Sequence, residues 1–79
     1  MTTLRATYDA SDLSLGAILV TEREMQDLAQ SPAVRSGILT GDGKYRRWLD
    51  FVYADESAAT AAAERLQAER YEVTIEGPA

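Results

Sequence analysis

Apolar and polar residues alternate over Leu4-Arg5-Ala6-Thr7-Tyr8, the period of a strand with one buried face. Asp9-Ala10-Ser11-Asp12 is turn-like, and the spacing of Asp9 and Asp12 suits a cap on whatever follows. Leu15 to Val20 is apolar but too short to fix its own period. It reads either as a buried strand or as the front of a long helix. Thr21-Glu22-Arg23-Glu24 fits a capping box, in which hydroxyl and carboxylate satisfy exposed backbone N–H groups. Val20 and Met25 are spaced as a hydrophobic staple around it. Glu22 and Glu24 also suit the positive end of a helix dipole. This predicts a helix starting near Thr21, entered by a strand carrying Ile18 and Val20. Its inner stripe is Met25, Leu28 and Ala29, and Ser31-Pro32 ends it, because the residue before proline avoids helical angles.

The clearest pattern lies further on. Val34 to Thr40 and Tyr45 to Ala54 read as strands around Gly41-Asp42-Gly43-Lys44. Asp-Gly is a strong hairpin signal, since a two-residue primed turn needs φ > 0 at both positions. With Asp42 and Gly43 in the loop, Thr40 falls opposite Tyr45, Ile38 opposite Arg47, Ser36 opposite Leu49 and Val34 opposite Phe51. Together with Tyr53 these make a mostly apolar face. On the other face Leu39 meets Arg46, Gly37 meets Trp48, and Arg35 meets Asp50. A second helix is predicted from Asp55 to about Arg70, with Ala59, Ala62, Ala63 and Leu66 inward. A last strand, Tyr71 to Glu76, turns Tyr71, Val73 and Ile75 inward, and Gly77-Pro78-Ala79 is a tail.

The expected class is therefore α+β: one domain over residues 1–79, a largely antiparallel sheet with two helices on one face. The order is β-β-α-β-β-α-β, or the ferredoxin-like β-α-β-β-α-β if residues 13–20 are helical. At 79 residues the chain has length for one domain, and 46% hydrophobic and 27% charged residues mark it as globular. The net charge of −5 favours solubility and disfavours nonspecific nucleic-acid binding. The start of the chain lacks the apolar core of a signal peptide, and its longest apolar run, Ala17 to Val20, is far too short for a membrane span. The expectation is a cytoplasmic location, including a host cytoplasm. The abundance of alanine and arginine suggests a GC-rich bacterial or phage genome.

The chemistry-bearing residue types narrow the function. With no histidine and no cysteine, the commonest general base, the commonest metal ligands and every thiolate site are missing. Asp9 and Asp12 lack the ligand series of a calcium loop. Gly41-Asp42-Gly43-Lys44 has the wrong glycine spacing for a phosphate loop. No catalytic residue, cofactor or metal is expected. Lys44-Tyr45-Arg46-Arg47-Trp48 looks like a nucleic-acid patch only when read linearly, because strand alternation sends Arg47 to the helix side. Lys44, Arg46 and Trp48 share the outer face, where Arg5 and Arg35 can join them and where Asp50, Glu72 and Glu76 oppose them.

Trp48 is expected to lie over Gly37, shielding its backbone, with the indole's second face open to a partner. Val52 extends the apolar strip. The charged second-helix face, with Glu64, Arg65, Glu69 and Arg70, reads as solvated. The functional expectation is a non-enzymatic protein-binding module: a small regulator, inhibitor or accessory protein. It would cover its partner with the open sheet face or an edge strand, through Trp48, Arg46, Arg35 and Val52. The same surface could close a homodimer. The alternative is nucleic-acid binding through Arg5, Arg35, Lys44, Arg46 and Trp48.

Overall fold

Six elements follow one another in a computed structural model that describes residues 1–76. They are β1 (Thr2–Asp9), α1 (Leu15–Ala29), β2 (Arg35–Gly41), β3 (Lys44–Tyr53), α2 (Glu56–Ala68) and β4 (Glu72–Glu76). The expected tail lies outside the described residues. The fold is α+β, with the four strands in one antiparallel sheet of order β2-β3-β1-β4. Of the two orders the sequence allows, the β-α-β-β-α-β one is realised, the ferredoxin-like arrangement. Among the described residues no helix is long and apolar enough to cross a membrane.

The separate strand expected at Leu15 to Val20 is instead the start of α1. The helix is capped by Ser14, whose Oγ accepts from the Ala17 N–H at 3.2 Å, so the expected cap at Thr21 is corrected. Thr21 sits mid-helix. At 100° per residue Ile18, Met25, Leu28 and Ala29 fall on one arc of about 100°, and this stripe packs on the sheet. Leu15, Leu19 and Val20 point elsewhere and stay exposed. The C-terminus of α1 closes through Gln30 in the left-handed region, with the Ser31 N–H donating to the Gln26 carbonyl at 3.3 Å. Its last carbonyls are taken from outside: the Tyr53 hydroxyl donates to the Ala29 oxygen at 2.7 Å and Arg65 Nε to the Leu28 oxygen at 2.5 Å. Arg65, expected on a solvated face, is thus half-buried and ties α2 to α1.

The hairpin forms as its sequence dictates. Asp42 and Gly43 both have positive φ, 53° and 70°, and the ladder runs from Gly41↔Lys44 to Arg35↔Asp50 in the expected register. Asp55 caps α2, accepting from the Ala58 N–H at 2.8 Å. The core lies between the helices and one sheet face. Leu4, Ala6 and Tyr8 of β1 and Leu49 and Phe51 of β3 meet Met25, Ala29, Ala62, Ala63 and Leu66. Small α2 residues let that helix approach the sheet closely.

One polar cluster interrupts this interface. Glu22 accepts from the Tyr8 hydroxyl at 2.5 Å and from the Arg47 guanidinium. The three groups satisfy one another where each alone would be costly to bury. Burial, reinforced by the bond to Glu22, pushes the Tyr8 phenol up.

Candidate functional site

No described element covers the opposite sheet face. It carries Arg35, Gly37 and Leu39 from β2, Arg46, Trp48, Asp50 and Val52 from β3, Arg5 and Thr7 from β1, and Glu72, Thr74 and Glu76 from β4. The four residues expected to bind a partner, Trp48, Arg46, Arg35 and Val52, all lie here. So do Arg5 and Lys44 of the nucleic-acid alternative.

The face is organised around Asp50. Although it sits on the helix-free side, Asp50 is only 1% exposed. Arg5 grips it with two bonds, Nε to Oδ1 at 2.7 Å and Nη2 to Oδ2 at 3.0 Å. Arg35 adds a third from the far side, Nη2 to Oδ2 at 3.1 Å. Two guanidinium groups thus flank the carboxylate. The Arg5 hydrogen bonds hold its carboxyl below the usual range, against the opposing effect of burial. Arg35 keeps 70% of its side chain exposed, so its second edge is free for another acceptor. The expected Arg35–Asp50 pair is present, while the closer Arg5–Asp50 pair went unread.

Trp48 lies against Gly37, its ladder partner: a Cβ added there would fall 2.5, 2.6 and 2.8 Å from Cζ2, Cε2 and Nε1 of the indole. The Arg5 guanidinium carbon lies over the indole, 4.0 Å from the ring centroid, in a cation–π contact. One arginine thus binds Asp50 through its edge and Trp48 through its plane, and all three hold a single geometry.

Beside this cluster, Arg46 is half-buried between two shallow concavities. One, of about 210 Å³, is lined by Leu39, Thr40, Asp42 and Lys44. The other, of about 440 Å³, reaches round to the helix side and is lined by Thr7, Tyr8, Asp9, Leu13, Thr21, Arg70, Tyr71 and Glu72. Asp9 accepts from the Ser11 N–H at 2.9 Å, and Ser11 Oγ in turn accepts from the Tyr45 N–H at 3.0 Å. Asp9 therefore organises the turn after β1. Charge divides the face: its β2–β3 half is basic through Arg35, Lys44 and Arg46, and its β4 edge is acidic through Glu72 and Glu76.

No family model matches the chain, and no curated protein does. Among solved structures it is similar to a formyltetrahydrofolate deformylase from Pseudomonas putida, with 16% identity over 98% of this chain and a TM-score of 0.46. It spans 28% of that enzyme's length. It is also similar to a de novo designed protein, Ferredog-Diesel, with 14% identity, 96% of this chain and 83% of that one covered, and a TM-score of 0.43. Likeness at this level carries neither activity nor site.

Proposed function

We propose that this chain is a non-enzymatic protein-binding module whose working surface is the basic half of the open sheet face. The observation that supports this is the fixed Trp48–Arg5–Asp50–Arg35 cluster. Ion pairs at a solvent-facing surface add little to folding, and burying a carboxylate there has a desolvation cost. What the arrangement supplies is order: two arginines and an indole held in place before any partner arrives. Preorganised arginine and tryptophan groups are what hot spots are made of. The chemistry fits a protein surface that presents carboxylates to Arg35, Arg46 and Lys44 and separate apolar side chains to Val52 at one end and Leu39 at the other.

The same cluster weighs against nucleic acid as the ligand. Arg5 is committed to Asp50 and lies over the Trp48 ring, which leaves less free cation and less ring surface for a phosphate and a stacked base.

The test uses the full chain as bait, followed by titration of the identified partner against purified variants. Trp48→Ala should weaken binding by about 2 kcal/mol or more while leaving the domain folded. Arg46→Glu should weaken it through charge. Phe51→Ala, in the core, should instead cost about 3–5 kcal/mol of folding stability. A partner whose affinity ignores both Trp48→Ala and Arg46→Glu overturns the proposal. So does a Trp48→Ala variant that unfolds as readily as Phe51→Ala.

A further inference from the structure

The two edges of the sheet are defended differently. At β4, Glu72 and Glu76 put charge along a five-residue strand, a usual guard against pairing with another chain. The β2 edge is seven residues long and carries one charge, Arg35, at its end. It has no proline and no lysine. Because Gly41 and Lys44 flank a two-residue turn, they form a hydrogen-bonded pair, and the ladder then uses Arg35, Gly37, Leu39 and Gly41. The N–H and C=O groups of Ser36, Ile38 and Thr40 point away from the sheet.

Exposed apolar residues flank this edge on the helix side. Ile38 is 50% exposed on the helix side, outboard of its ladder partner Arg47, which is bonded to Glu22 of α1. Gln26 Oε1 accepts from the Ala33 N–H at the foot of β2, 3.0 Å away, which fixes the side of α1 that looks toward the edge. Leu15 and Leu19 fall within about 40° of Gln26 around the helix, so they share that side. They are 74% and 66% exposed.

We propose that β2 pairs with β2 of a second copy, antiparallel about a two-fold axis at Ile38, joining the two sheets into one. In that register Ile38 meets Ile38 and Ser36 meets Thr40 of the partner. Each is a hydrogen-bonded pair, so every outward-facing backbone group of Ser36, Ile38 and Thr40 is satisfied. The two-fold keeps both sets of helices on one face. It brings Leu15, Leu19 and Ile38 of each copy together over the new strand pair, which extends the buried area toward the roughly 800 Å² per partner of a standard interface. Arg35 of each copy arrives beside Gly41 and Asp42 of the other, so the ends are complementary in charge. The acidic residues of β4 lie on the far edge, which keeps their charge away from this contact. The open sheet face with Trp48 remains uncovered, so this pairing does not depend on the function proposed above.

Because the chain has no cysteine, single-cysteine variants report the register directly. A hydrogen-bonded antiparallel pair holds its Cα atoms about 5.5 Å apart, within disulfide range. Ile38→Cys should therefore close an intermolecular disulfide on mild oxidation. Leu39→Cys, whose symmetry mate is offset along the strand, should close far more slowly. Light scattering of the unmodified chain over a dilution series should show twice the 8.7 kDa chain mass. Ile38→Lys should return it to one chain mass with an unchanged circular dichroism spectrum. A wild-type mass of one chain at every concentration overturns the proposal, as does a dimer that survives Ile38→Lys or cross-links equally at both cysteines.

Discussion

Gly37→Ala is the sharpest probe of the open face. The added Cβ would lie 2.5–2.8 Å from three atoms of the Trp48 ring, whereas carbon atoms in contact sit about 3.5–4.0 Å apart. The indole must withdraw by about 1 Å, which disturbs its contact with Arg5 at 4.0 Å from the ring centroid. Arg5 cannot yield without stretching its 2.7 and 3.0 Å bonds to Asp50. Overpacking of this kind costs about 1–3 kcal/mol, and a lost cation–π contact adds about 0.5–1 kcal/mol. Replacing glycine in a strand returns about 0.5–1 kcal/mol of backbone entropy. The net expectation is a loss of about 1–3 kcal/mol, or about 6–18 °C in melting temperature for a domain of this size. Trp48 is the one tryptophan in the chain, so its emission reports the displacement in the same samples used for urea unfolding. The emission of Gly37→Ala should shift to the red. In a Trp48→Ala background the alanine should cost nothing, because the obstructing ring is gone. An unchanged emission maximum together with equal or greater stability would refute the close contact of Trp48 with Gly37.

Two further outcomes test the electrostatics and the helix boundary. Asp50 has its carboxyl lowered in the folded state, so its contribution is complete above the ordinary carboxylate range and is lost as pH falls through the folded value. Asp50→Asn should be less stable by about 1–3 kcal/mol near neutrality. That gap should close below about pH 4, and chemical denaturation across the acid limb would expose a gap that stays constant instead. Ser14→Ala should remove about 1 kcal/mol with the cap. Thr21→Ala, inside the helix, should move stability by no more than about 0.5 kcal/mol. The reverse order in denaturation midpoints would mean that α1 starts at Thr21 after all.

The hairpin was readable because its information is local. Asp42-Gly43 specifies the turn, the turn specifies the register, and the register places Trp48 over Gly37 and Arg35 beside Asp50. The start of α1 was misread for a related reason. Leu15, Leu19 and Val20 are apolar yet exposed, and they filled in the polar positions that would have revealed a helical period between Ile18 and Met25. A continuous apolar run imitates a buried strand, and the well-formed capping pattern at Thr21-Glu22-Arg23-Glu24 then drew the boundary seven residues too late. In the fold Glu22 does other work, as the acceptor for Tyr8 and Arg47.

Arg5 was harder to place than any hairpin residue, and the reason is geometric. The alternation of Leu4, Ala6 and Tyr8 fixes which face Arg5 occupies, but it does not fix the axial position of β1 against its neighbours. A slip of two residues preserves every face while moving Arg5 from Asp50 to the level of Trp48 or Val52. No tight turn joins β1 to β3, so nothing local removes that freedom. The register is set instead by distant groups that must meet at once: Leu4 with Phe51 and Ala6 with Leu49 under the helices, Tyr8 reaching Glu22 beside Arg47, and Arg5 closing on Asp50. The residue at the centre of the candidate surface is therefore also one of the contacts that aligns the central strands. This is why Arg5 pairs with a residue 45 positions away and could not be assigned from the sequence around it.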